Sequence, residues 1–505
     1  MSYEQIAAVD MGSNSFHLQV GRVVENQIYP LDTLKEPVRL ASGLTPEKQL
    51  DEFAQARALE TLGRFAERLR GFHPDAVRAV ATNTLRVAKN AKAFITQAEA
   101  VLGFPIEVIS GMEEARLIYV GAAHAMPPDR HKRLVVDIGG GSTELIIGEE
   151  IKPLLMKSAY MGCVSFSLRF FPGGKIDKER FQKAEIAAGR ELQNISRDFR
   201  QVGWSEAVAT SGTARAIADL LEINGLNPDG VVGITREGLS KLRSQLIRAG
   251  SAAELKLEGL RVERIPVFPG GVAIMSAIFA EFNIERMVYS EGALRLGVLY
   301  DLLGRFHHQD MRDSTVHQFM RRYQVDALQA DRVKRTALGL LGQMIRLDAP
   351  EHEAEVNFLH WAASLHEIGI SIALSGFHKH GAYIVSNGDM PGFSKQDQER
   401  LAFLILGQRG KLEKLPALAS RDRAWRLVFC LRMAELLKRS RDEQPLPSIA
   451  VRQLPNGFQV ELSADWLRAN PLSASALADE ALGWQNVGLQ LRIKRRTVPP
   501  GENPK

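Results

Sequence analysis

The residues best suited to chemistry stand in one stretch, Leu134 to Gly148, which reads LVVDIGGGSTELIIG. Asp137 ends an apolar, β-prone run; Gly139, Gly140 and Gly141 follow; Ser142, Thr143 and Glu144 lead into a second apolar run. Three glycines between two strands make a tight turn whose backbone N–H groups are not screened by Cβ atoms. Such a nest of amides binds an anion, most often phosphate, and the hydroxyls of Ser142 and Thr143 add donors. Asp137 and Glu144 would repel a bare phosphate. They point instead to a divalent cation, Mg²⁺, lying between them and the phosphate oxygens.

The pattern occurs once more. Asp10 ends the apolar strand that starts at Ile6, Gly12, Ser13, Asn14 and Ser15 form the turn, and Phe16 to Val23 is the return strand. Asp10 and Asp137 are 127 residues apart. A second echo lies at nearly the same offset: Ala79-Val80-Ala81-Thr82 returns 128 residues later as Ala207-Val208-Ala209-Thr210. The first copy runs on into Asn83, Thr84 and Arg86, the second into Ser211, Gly212, Thr213 and Arg215. Two echoes in register imply an internal duplication, hence two α/β lobes that each offer a phosphate turn to a shared cleft.

Between the lobes lies Ser110-Gly111-Met112-Glu113-Glu114. The acidic pair falls in the first turn of a helix, where the helix dipole favours it. Its two side chains point about 100° apart, so only one can face the cleft squarely. A carboxylate there could orient a water for attack on phosphorus.

The elements that must position these groups follow from periodicity. Strands are predicted over residues 1–30, 77–81 and 106–109, with helices over 52–70 and 88–102, the first carrying Leu59, Leu62, Phe65 and Leu69 on one face. The second lobe repeats the order with inserted helices near 177–200 and 235–250, a turn at Val267-Phe268-Pro269-Gly270-Gly271, and a strand at Met287–Tyr289. Long helical segments begin near 306, strands return after 446, and the terminal KRRTVPPGENPK reads as a disordered tail. The 505 residues are 45% hydrophobic and 24% charged with a net charge of +5, a globular composition. No apolar run approaches the roughly 20 residues of a membrane span, and the N-terminus lacks a signal peptide's basic start and apolar core. Cys163 and Cys430 give neither a disulfide framework nor metal spacing. A cytoplasmic protein is expected.

The stretches AAVDMGSNSFHL, VRLASGL, AVATNTLRVAKN, ISGMEEARLIY, VVDIGGGSTELIIG, MGCVSFSLRFFPGG, ATSGT, VFPGGVAI, GALRLGVLYD and LHEIGI resemble, in order, the exopolyphosphatase/guanosine pentaphosphate phosphohydrolase family of the actin-like ATPase superfamily. The resemblance implies two actin-like (ribonuclease H-like) α/β domains over 1–121 and 122–305, an all-α HD-like domain over 306–445 and a small α+β domain over 446–505. It implies Mg²⁺ dependence, K⁺ stimulation and a homodimer. Its catalytic glutamate matches Glu114. Asp10 and Asp137 would hold the metal with support from Glu144. Gly12, Ser13, Asn14, Ser15 and Gly139, Gly140, Gly141, Ser142 and Thr143 would cradle phosphates, and Thr82, Asn83, Arg86, Ser211, Gly212 and Thr213 would line the cleft.

The expected activity is exopolyphosphatase, with guanosine pentaphosphate 5′-phosphohydrolase as the alternative on the same machinery. A different class, an ATP-driven binding module with the VFPGG turn at adenine, is the further alternative. The HD-like scaffold needs a His-Asp pair, whereas here His366 precedes Glu367, with His360, His378 and His380 nearby; the reading is a degenerate domain without metal. Basic clusters at Arg321-Arg322, Lys334-Arg335 and Lys438 to Arg441 are expected to guide a long polyanion rather than nucleic acid.

Overall fold

The computed structural model describes residues 3–24, 27–127, 131–255, 257–306, 310–415, 422–444 and 446–496. The chain divides into two compact units, 1–311 and 312–505.

The first unit is built on two sheets of one design. Strands β1 (Gln5–Met11), β2 (Phe16–Val24) and β3 (Gln27–Glu36) form an antiparallel meander, and β4 (Val77–Ala81) and β5 (Ile106–Val108) join parallel to β1, giving the order β3-β2-β1-β4-β5. Between them run helices α1 (Glu52–Arg68), α2 (Asn83–Val87) and α3 (Ala91–Leu102), and α4 (Gly111–Ala125) follows. The second sheet repeats this. Strands β6 (Arg133–Ile138), β7 (Thr143–Glu149) and β8 (Lys152–Ala159) are the meander, β9 (Glu206–Thr210) pairs parallel with β6, and β11 (Arg286–Tyr289) pairs parallel with β9. A short β10 (Ile234–Thr235) adds to the edge of β11. The order β10-β11-β9-β6-β7-β8 therefore contains the first sheet's order, with the echoed Asp10 and Asp137 near the ends of the matching strands β1 and β6. The expected duplicated actin-like α/β fold is present.

Central strands read as continuous apolar runs because both faces are covered: β1 is buried from Ile6 on, and β4 and β6 throughout. The second sheet carries α5 (Cys163–Phe170), α6 (Lys178–Val202), α7 (Ser211–Ile223), α8 (Arg236–Ala249) and α9 (Phe268–Glu281), and the unit ends in α10 (Leu294–Phe306). Helices α4 and α10 share one core with both sheets, which joins Ile6, Ala8, Val80, Leu117 and Ile118 to Val135, Ile146, Val208, Val298 and Leu299. The residues expected to form a turn at 267–271 instead open α9: Pro269 sits where its fixed φ suits a first turn. The stretch Val262–Glu281 is long and apolar enough to cross a membrane by length and composition, and most of it is buried in the second lobe.

The second unit packs α11 (Met311–Arg322), α12 (Ala327–Leu341), α13 (Glu353–Ser364), α14 (Phe377–Asn387), α15 (Lys395–Gly407) and α16 (Ala424–Leu437) around Trp361 and Phe429. A small sheet of β12 (Ala450–Leu454), β13 (Gly457–Ser463) and β14 (Gln490–Arg496), with α17 (Ala464–Ala469) and α18 (Pro471–Gln485), belongs to the same core; Phe429 stacks on Phe458 at 4.2 Å. Lys494, Arg495 and Arg496, expected in a disordered tail, are the end of β14 and pair with β13; the rest of that tail lies outside the described residues.

Cys163 and Cys430 are free and buried, one in each unit, and burial pushes both thiols up. His366 is buried with its Nδ1 2.8 Å from the Ala363 carbonyl, and Glu367 pairs with Arg441. Among the described residues no three His, Cys, Asp or Glu side chains converge as a metal site. Four members of the basic clusters have acidic partners: Lys334 and Arg335 share Asp331, Arg439 pairs with Glu435, and Arg441 with Asp326 and Glu367.

Candidate active site

The two glycine turns, between β1 and β2 and between β6 and β7, meet across a cavity of about 370 Å³. Their approach requires glycine: a Cβ on Gly140 would lie 2.9 Å from the Cβ of Ser13, and one on Gly141 would lie 2.5 Å from Asn83 Oδ1. Ser13 is held by the Thr84 hydroxyl, which donates to it at 2.8 Å. On the opposite wall the β9–α7 junction bends through Ser211, which has φ of 81°, a left-handed backbone rare for serine. That bend presents Ser211, Gly212 and Thr213 at the N-terminus of α7, facing the cavity.

Glu114 enters from the first turn of α4, which Ser110 caps by accepting the Glu113 amide at 3.1 Å. Arg86 Nη1 donates to the Glu114 carboxylate at 3.0 Å and to the Ile109 carbonyl at 2.8 Å. Burial nevertheless outweighs this cation, and with Asp10 and Asp137 nearby the Glu114 carboxyl is pushed up to about 7. Asp137 is pushed up to about 6, again chiefly by burial, although the Thr210 hydroxyl donates to it at 2.6 Å. Glu144 lies opposite Asp137 in the β6–β7 pairing, accepts from Ser158 at 2.8 Å, and is raised well above the carboxylate range by burial and by Glu114 and Asp137. A carboxyl titrating near neutrality beside a phosphate cradle is suited to accept a proton from water.

The neighbouring Glu113 is fully buried and serves elsewhere. It forms a two-pronged pair with Arg116 at 2.8 Å, inside a network with Arg78, Glu107, Asp301 and Arg305. The acidic pair thus divides, one carboxylate to the cavity and one to the scaffold.

Most sequence-predicted residues line the cavity: Asp10, Gly12, Ser13, Asn14, Ser15, Thr82, Asn83, Glu114, Asp137, Gly139, Gly140, Gly141, Ser142, Ser211, Gly212 and Thr213. Three stand behind the wall. Thr143 is fully buried and its hydroxyl donates to the Met161 carbonyl at 2.6 Å, so it is no phosphate donor here. Arg86 supports Glu114 instead of the phosphate wall, and Glu144 is enclosed. The cavity also contains residues the motif reading missed: His17, Lys35, Arg264, Tyr289, Glu291 and Arg295. Among the described residues Lys35, Arg264 and Arg295 form no ion pair, and Arg295 Nε is buried without a hydrogen bond. Burial, with repulsion from Arg264, Arg261 and Arg295, lowers the Lys35 ammonium. Crowded, unpaired cations at a cavity wall are what a polyanion neutralises. Arg295 had a visible signal, since it lies in the GALRLGVLYD stretch; Lys35 and Arg264 had none.

Two buried carboxylate oxygens, Asp10 Oδ1 and Glu144 Oε2, have no hydrogen-bond partner. Orphaned acceptors beside Glu114, Asp137 and Glu144, whose carboxyls are raised by burial and then by neighbouring carboxylates, fit a cation. With no three-ligand cage among the described residues, such a cation would depend on substrate phosphates and water for its remaining ligands, as Mg²⁺ commonly does.

Comparison with known proteins accords with this geometry. The Ppx/GppA phosphatase family model matches residues 19–306, and the model of Ppx/GppA phosphatase domain III matches 311–481. The chain is similar to the guanosine-5′-triphosphate,3′-diphosphate pyrophosphatase of Aeromonas hydrophila, 38% identical over 492 residues that cover 96% of this chain and 98% of that protein. It is 37% identical to the protein of the same name from Photobacterium profundum over 491 residues, 97% of each. The crystal structure of an exopolyphosphatase from Cytophaga hutchinsonii superposes with a TM-score of 0.54 at 25% identity, covering 60% of this chain and 98% of that one. With two phosphate turns converging on a buried glutamate, and with likeness of this extent on both units, the chain belongs to the Ppx/GppA phosphatase family.

Proposed function

We propose that this protein hydrolyses the terminal phosphoanhydride of guanosine 5′-triphosphate 3′-diphosphate, using one water to release orthophosphate and leave the 5′-diphosphate. The observation that carries the reaction type is Glu114, buried, raised to about 7 and aimed at the junction of two glycine turns. The amides of both turns and the unpaired Lys35, Arg264 and Arg295 hold the phosphates, while Glu114 orients the attacking water and takes its proton. Asp10 and Asp137, with Glu144 behind them, would hold Mg²⁺, which when bound neutralises charge on the non-bridging phosphate oxygens. The choice of guanosine pentaphosphate over polyphosphate is supported by the two pyrophosphatases at 37–38% identity across nearly the whole chain. The motifs alone rank polyphosphate first. Terminal hydrolysis of inorganic polyphosphate is the second reading, supported by the likeness to the Cytophaga exopolyphosphatase.

The test is orthophosphate release from guanosine pentaphosphate, long-chain polyphosphate, ATP and a phosphomonoester. Preference for guanosine pentaphosphate is expected; preference for polyphosphate reverses the order of the two readings. Release from ATP alone would overturn both and favour an ATP-driven module. Asp137→Asn should weaken activity and Mg²⁺ dependence together, and full activity in excess chelator would remove the metal from the scheme.

A further inference from the structure

Beside the phosphate cavity lies a second hollow of about 440 Å³, within the range of small-molecule sites. It shares Thr33, Arg215, Tyr289, Glu291, Ala293 and Arg295 with the cavity, so a ligand held by its phosphates in one reaches the other. The chemistry changes between them. Lys35 and Arg264 line the cavity but not the hollow, which keeps Arg215 and Arg295 and adds Gln19, Pro30, Ala125, Gly292 and Leu296.

We propose that this hollow is a purine subsite in which Glu291 reads the donor edge of guanine and Tyr289 supplies a ring face for the base. The inference rests on the guanosine reading above. Guanine offers two adjacent donors, the ring N1–H and the 2-amino group, and a carboxylate offers two acceptor oxygens at matching spacing. Adenine presents a donor beside an acceptor and cannot satisfy a carboxylate this way. Glu291 forms an ion pair with Arg215 at 3.5 Å but is largely exposed and accepts no hydrogen bond among the described residues, so its second oxygen stays open to a ligand. Its loop is fixed on both sides. The Ser290 amide donates to the Ala209 carbonyl at 3.0 Å, and Gly292 lies so close to the Gly121 carbonyl and Ala125 Cβ of α4 that no side chain would fit. Tyr289, half-buried at the end of β11, is the aromatic side chain lining both spaces.

The experiment compares kcat/KM for guanosine pentaphosphate, inosine pentaphosphate and tripolyphosphate in the wild type, Glu291→Ala and Tyr289→Leu, with circular dichroism to confirm folding. Inosine lacks only the 2-amino group. The wild type should favour guanosine over inosine by roughly tenfold, as one hydrogen bond to a charged group provides. Glu291→Ala should reduce that preference to about unity, and Tyr289→Leu should lower both pentaphosphates relative to tripolyphosphate. A wild type without guanosine preference, or a preference that survives Glu291→Ala, overturns the subsite and leaves the proposed function standing. A wild type that hydrolyses tripolyphosphate but neither pentaphosphate overturns both.

Discussion

Glu114 has a role that conflicts with the stability of its own fold. As a base it must ionise, yet burial raises it to about 7. Glu114→Gln keeps the shape and the Arg86 contact while removing the base, so turnover should fall by roughly 10²–10⁴ with substrate binding mostly retained. Near-normal turnover, with Glu113→Gln inactive instead, would reverse the assignment within the pair. The same substitution should stabilise the ligand-free protein in a pH-dependent way. A carboxyl whose folded pKa exceeds its unfolded one binds more protons in the native state, so its contribution is present below the ordinary range near 4.5 and is lost as pH rises through 7. Glutamine cannot ionise, so the variant should gain on the wild type from about pH 4.5 to 7, reaching about 2–3 kcal/mol. Urea unfolding at pH 5 and pH 8 reads this directly; an equal difference at both pH values would refute the burial argument. Sequence alone showed that one of the two glutamates serves the cleft. It could not show which: Arg116, the partner of Glu113, is three residues along the same helix, but Arg78 and Asp301, which complete that network, arrive from β4 and α10.

Helices α4 and α10 are the elements that aim the site. Burial alone would push the Asp301 carboxyl up, but Arg116, Arg78 and Arg305 together hold it well below the carboxylate range. Asp301→Asn would leave Arg78 and Arg116 buried without their shared counter-charge, and is expected to cost about 3–5 kcal/mol. Thermal unfolding at wild-type temperature would show that Glu107 and Glu113 suffice. The helices also cross closely: a Cβ on Gly297 would collide with the Leu117 carbonyl, so Gly297→Ala should separate them and slow turnover through Glu114. Elements of this kind were legible where the signal is local. Apolar strands broken by glycine turns announced both hairpins, and the offset of 127–128 residues announced the repeated sheet. Val267 to Gly271 misled because proline and glycine mark turns as well as first turns of helices; here Gly270 and Gly271 let α9 press against Cys163, Ser167 and Thr213. Thr143 misled because its hydroxyl turns away from the cavity to the Met161 carbonyl, and Lys35 and Arg264 were silent because only tertiary folding brings β3 and the segment before α9 to the cavity.

At the scale of the molecule, every residue of the candidate site falls within 1–311, and the cores of that unit are distinct from the core built by 312–505. A fragment ending at residue 311 should fold and hydrolyse short substrates; a folded but inactive fragment would mean that the second unit completes the site. Lys334, Arg335, Arg439 and Arg441 of that second unit pair with acids, so these members of the basic clusters lend less support to long-chain capture than their sequence suggested. Independence of the units can be timed without any fragment, because each hides a single unpaired cysteine. Pulsed alkylation under rising denaturant makes Cys163 and Cys430 two clocks within one chain, each starting when its own surroundings open. Peptide mass mapping should find two separate onsets. Simultaneous labelling at every denaturant concentration would mean that the two halves melt as a single cooperative block.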